Sequence, residues 1–104
     1  MAEKIRLRFE SEDGRFAYLF PCDEAGNVLD GKFSAVDRLL LSWCRAGEIP
    51  SGHWQFCGPE VPGAVEEIDT DDEGREYRYW TRFVPDGAVA ARMRAPEIVK
   101  DEIF

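Results

Sequence analysis

Residues that announce chemistry are scarce in this chain. It has one histidine, His53, and three cysteines, Cys22, Cys44 and Cys57. It has no glycine-rich nucleotide loop, no CxxC pair, no nucleophile elbow and no paired-histidine helix, which disfavours the enzyme classes that depend on them. An odd number of cysteines in apolar surroundings suits reduced, buried thiols better than a secreted disulfide framework. Leu39-Leu40-Leu41 falls far short of the ~20 apolar residues that span a bilayer, and the opening "MAEKIRLRFE" has no apolar signal region. These absences predict a cytoplasmic protein with no membrane contact.

Positive charge is also in short supply. The formal net charge is −8, which discourages nonspecific binding to nucleic acid and favours solubility or a basic partner. Arginine nevertheless outnumbers lysine ten to three, and arginine is the better residue for planar, bidentate recognition. A composition of 44% hydrophobic and 33% charged residues is that of an ordered protein, and 104 residues predict one domain over 1–104.

Ile5, Leu7 and Phe9 alternate with Arg6 and Arg8, and after "SEDGR" Phe16, Tyr18 and Phe20 alternate again. This predicts a β-hairpin turned at Asp13-Gly14. From Ser34 the period becomes helical, with Val36, Leu39, Leu40, Trp43 and Cys44 on one face. Ser34 and Asp37 form a capping-box pattern, while Gly47 and Pro50 supply the stop. "HWQF" follows as a short aromatic strand. "AVEEID" and "REYRYWTRFV" then flank the acidic turn "TDDEG". With Asp71 to Gly74 as the loop, Ile68 faces Tyr77, Glu67 faces Arg78 and Val65 faces Trp80.

Pro85-Asp86-Gly87 suits a type I turn closed by a left-handed glycine, so a second hairpin is expected there, with "AVAARMR" returning beside the previous strand. The tail "PEIVKDEIF" reads as a short helix or a frayed end. The predicted fold is therefore α+β: a mostly antiparallel sheet, in the order β-β-α-β-β-β-β, packed on one amphipathic helix.

That second hairpin would gather Arg78, Trp80, Arg82, Arg92 and Arg94 on the open face of the sheet, a surface suited to carboxylate, phosphate or a second copy of the chain. Glu67, and arginine stems lying over Trp80, would make the same face an ordinary solvated one.

Asp69, Asp71, Asp72 and Glu73 match the first half of a calcium loop. The twelfth position is Trp80 rather than glutamate, however, and strand residues stand where a helix should start. The run is read as an acidic turn, which with Glu66, Glu67 and Glu76 could mimic a phosphate backbone. His53 and Cys57 are ~13 Å apart on a straight strand, too far to share a metal. A Cys44–His53 catalytic pair is disfavoured because a helix C-terminus opposes a thiolate. Glu66 is the one carboxylate that the register turns toward the core side. No cofactor and no metal is implied.

The leading expectation is a small acidic interaction protein, non-enzymatic, associating with itself as a homodimer or with another protein through an exposed sheet face. A second is an acidic inhibitor that binds a basic enzyme through residues 66–76. A third is a ligand pocket or active site between helix and sheet, lined by Trp43, Trp54, Tyr77 and Tyr79 with Glu66 or His53 as its polar group.

Overall fold

A computed structural model describes residues 2–103, with side chains for 4–100. Strands β1 (Ala2–Glu10) and β2 (Ala17–Pro21) form the first hairpin. Leu7 lies opposite Phe20 and Phe9 opposite Tyr18, so the alternating apolar residues share one face. Phe9 and Phe20 meet edge to face at 5.8 Å, the geometry that ring quadrupoles favour. Gly14 takes the left-handed conformation in the turn, with φ 76°, where a side chain would be strained.

Helix α1 (Ala35–Ala46) begins and ends where its capping residues dictate. The Ser34 hydroxyl accepts the Asp37 N–H at 3.1 Å, and the Asp37 carboxylate accepts the Ser34 N–H at 3.0 Å. Gly47 closes the other end with φ 86°, its N–H returning to the carbonyls of Trp43 and Cys44. The helix buries Leu41 and Cys44 against Leu7, Phe9, Phe20, Cys22, Ile49, Ala91 and Met93, which form the core.

The fold class is α+β with mostly antiparallel strands, but the strands make two three-stranded sheets rather than one. The first has the order β2-β1-β6, where β6 is Glu97–Ile103. The second has the order β3-β5-β4, from β3 (Glu48–Cys57), β4 (Val65–Thr70) and β5 (Glu76–Arg92). The tail is thus a strand and not a helix: Ile98 lies opposite Leu7 and Glu97 opposite Arg8.

The expected hairpin at Pro85-Asp86-Gly87 is also absent, because β5 runs straight through it. Beside β5 lies β3, and the register slips there: Gly52 is opposite Pro85, whereas Pro50 is opposite Val89. The turn residues therefore form a bulge. Asp86 accepts the Ala88 N–H at 2.9 Å and the Ser51 hydroxyl at 2.9 Å, and Gly87 takes φ 89°. The same local chemistry would close a hairpin, and the neighbouring strand decides between the two.

The β4–β5 register differs from expectation by one residue. Glu66 lies opposite Trp80, Glu67 opposite Tyr79 and Ile68 opposite Arg78. The cause is the turn itself. The Asp71 N–H donates to the Arg75 carbonyl at 2.9 Å and Gly74 takes φ 81°, so the loop has three residues and a glycine bulge. Because side chains alternate, this slip moves Ile68 and Glu66 onto the face of Arg78 and Trp80.

The two sheets join at Met93. Its N–H donates to the Gly47 carbonyl at 2.8 Å, while the Glu12 N–H donates to the Arg92 carbonyl and the Arg94 N–H to the Glu10 carbonyl, both at 2.8 Å. Helix α1 lies over this junction. At 1.5 Å per residue its 12 residues reach only about 18 Å, whereas the molecule extends 41 × 38 × 22 Å. The helix touches β3 and β4 but leaves the far end of the second sheet uncovered, where Phe56 and Tyr77 are exposed.

Candidate functional site

With the hairpin replaced by a bulge, the expected arginine cluster is divided. Arg78, Trp80 and Arg82 remain on one face of β5, where Trp80 lies opposite Cys57 and Glu66, and Arg82 opposite Gln55. Arg92 and Arg94 stand at the inter-sheet junction instead of facing Trp80 and Arg78. Most of these charges have local partners: Arg78 pairs with Glu66 at 3.1 Å, Arg92 with Glu48 at 2.5 Å, and Arg94 donates to the Glu12 carbonyl at 3.0 Å. In the first sheet Arg8 pairs with Glu10 and Glu97. Exposed pairs of this kind contribute little stability, but they leave fewer guanidinium groups free for an anion.

The acidic turn is similarly occupied. Asp71 accepts the N–H groups of Glu73 and Arg75, each at 2.9 Å. Arg75 bridges Asp71 at 3.3 Å and Glu73 at 2.7 Å. Asp69 accepts the Tyr77 hydroxyl at 3.3 Å, and its negative charge pushes the phenol pKa up. Three of the four carboxylates that a calcium ion or a basic partner would use, Asp69, Asp71 and Glu73, thus already have partners within the β4–β5 hairpin. Glu66 is not on the core side: it is exposed and held by Arg78.

His53 is exposed and lies opposite Val84, on the other face from Trp54. Among the described residues no group of His, Cys, Asp or Glu side chains converges to hold a metal ion. Burial pushes the Cys44 thiol up to about 11, which keeps it protonated and unreactive near neutral pH.

What remains is aromatic. On the face of β3 and β5 turned toward the helix, Trp43, Trp54 and Phe83 close on one another, with centroids 4.8 Å apart for Trp43–Phe83 and 5.5 Å for Trp54–Phe83. The site expected for a pocket is therefore filled by packed rings. Further out the same face continues past the helix: Phe56 packs edge-on against Tyr79 at 5.7 Å, and Tyr79 lies 5.9 Å from Tyr77. Phe56 is 79% exposed and Tyr77 47%. The chain matches no family model, no curated protein and no solved structure. The face must accordingly be interpreted from its own physics.

The alternation "HWQF" correctly separates Trp54 and Phe56 from His53. It reads that side as core because alternation identifies a face and not what covers it. The usable signal was length: one short helix cannot cover every aromatic position of six strands.

Proposed function

We propose that this is a non-enzymatic interaction protein that associates with a second copy of itself through the outer aromatic face, built on Phe56, Tyr77 and Tyr79. The observation that carries this reading is the exposure of Phe56, 79%, in a continuous row of rings rather than singly. The area agrees. The accessible surface is 7278 Å², against about 5,900 Å² for a monomer of this mass. The excess, roughly 1,300 Å², exceeds the ~800 Å² that each partner buries in an interface of standard size.

Rings that remain in water continuously need a partner at matching abundance, and a second copy meets that condition. Glu67 and Asp69 flank the rings on β4, an edge strand, so in a two-fold pairing they fall on a wet rim. An acidic inhibitor acting through residues 66–76 has weaker support, because Arg75 and Arg78 already neutralise part of that segment.

Sedimentation equilibrium tests the reading. The wild type is expected at twice the 11.9 kDa chain mass and Phe56→Arg at the chain mass, with circular dichroism unchanged because the ring is outside the core. Trp80→Ala, on the opposite face, should remain dimeric. A wild type that stays monomeric at every concentration would overturn self-association, and a dimer lost in Trp80→Ala but kept in Phe56→Arg would move it to the other face.

A further inference from the structure

Between the C-terminal end of α1 and β6, the first sheet leaves a cavity of about 620 Å³, within the range of roughly 300–1,000 Å³ that small-molecule sites occupy. Leu7, Phe9 and Met93 form its floor, and Ile98, 42% exposed, forms an apolar wall. Ala25 and Gly26 make another wall, in a turn held by hydrogen bonds to the Asp23 side chain. The Asp23 carboxylate accepts the N–H groups of Ala25 and Asn27 at 2.9 Å each and the Asn27 side-chain amide at 3.0 Å. Such a cavity is formed before any ligand arrives.

Its charge is unlike the rest of the molecule. In a chain of net charge −8, the only charged residues lining the cavity, among the described residues, are Arg45 and Arg94. Arg45, in the last turn of α1, has no ion pair among the described residues. Arg94 gives one nitrogen to the Glu12 carbonyl at 3.0 Å. Its charge also reaches Glu10, but that carboxyl is lowered chiefly by its hydrogen bond to Arg8. The helix end would ordinarily repel an anion. Here the Gly47 N–H closes the last carbonyls and Arg45 stands beside them.

We propose that this cavity binds a small apolar carboxylic acid, with its hydrocarbon part over Leu7, Phe9 and Ile98 and its carboxylate between Arg45 and Arg94. Apolar burial supplies the affinity, and the two guanidinium groups select the ionised head over a neutral one. The site is separate from the aromatic face and does not depend on self-association.

The test is a calorimetric titration of the full chain with octanoate and with octanol, following the methyl resonances of Leu7, Met93 and Ile98 in parallel. Octanoate should shift those resonances and bind about tenfold more tightly than octanol, the scale of one charge-assisted hydrogen bond. The double variant Arg45→Gln, Arg94→Gln should bind the two equally, with its thermal midpoint near that of the wild type. The proposal is overturned if the wild type binds octanoate and octanol equally, or if saturating octanoate moves none of these methyls.

Discussion

Ser11 is fully buried, at 0% exposure, and all its polar atoms are used. Its hydroxyl donates to Asp13 at 2.7 Å and accepts the Phe16 N–H at 3.0 Å, while its own N–H donates to the Phe16 carbonyl at 2.9 Å. Ser11→Ala should cost about 1–3 kcal/mol, because it strands the Phe16 N–H. At roughly 4–8 °C per kcal/mol the loss is measurable by calorimetry. Asp13, beside it, is lowered from 3.8 to about 2, first by the Arg15 N–H and then by the Ser11 hydroxyl. A carboxyl lowered on folding stabilises the fold above its unfolded value, and that contribution is lost as pH falls through the folded one. Between pH 4 and 2 the wild type should therefore lose more stability than Asp13→Asn; equal losses would show that Asp13 contributes nothing in acid. The turn was legible from Asp13-Gly14. The burial of Ser11 was not, since it depends on a bridge to Met93 from the far end of the chain.

At the scale of elements, the signals that could be read were local and those that could not were shared between alternatives. Helix α1 carries its start, stop and apolar face within its own residues, so Ser34, Asp37 and Gly47 locate it without reference to anything else. The first hairpin is equally self-contained. Pro85-Asp86-Gly87 satisfies a turn and a bulge alike, and only β3, drawn from thirty-odd positions earlier, resolves the choice. The match depends on Gly52. A Cβ there would come within 2.3 Å of the Val84 carbonyl and 2.9 Å of the Pro85 Cα, both backbone atoms that cannot rotate away. Gly52→Ala should destabilise by about 1–3 kcal/mol through overpacking, read as a lower denaturation midpoint. Gly63, whose added Cβ would meet nothing within 4 Å but whose φ is +80°, makes the control: Gly63→Asn, an αL-tolerant residue, should be nearly neutral. If Gly52→Ala were equally neutral, β3 would not be fixing the bulge. The aromatic face is legible to the same extent, since alternation sets Trp54 and Phe56 apart from His53 but does not carry how far the helix reaches.

For the molecule as a whole, the radius of gyration is 16.1 Å, against about 13 Å for a compact domain of this length. The second sheet contributes to that extension, with Phe56 and Tyr77 exposed beyond the helix. A second copy covering that sheet binds the folded chain and not the unfolded one, so stability must depend on concentration. The thermal midpoint of the wild type should rise steadily with protein concentration, by about 1.4 kcal/mol of added stability per mole of dimer for each tenfold in a tightly associating chain. Phe56→Arg should show no such rise and should converge on the wild type at high dilution, because the ring contributes little to the core of a single chain. A midpoint independent of concentration in the wild type would mean that the aromatic face stays wet, and the excess surface would then need a different partner.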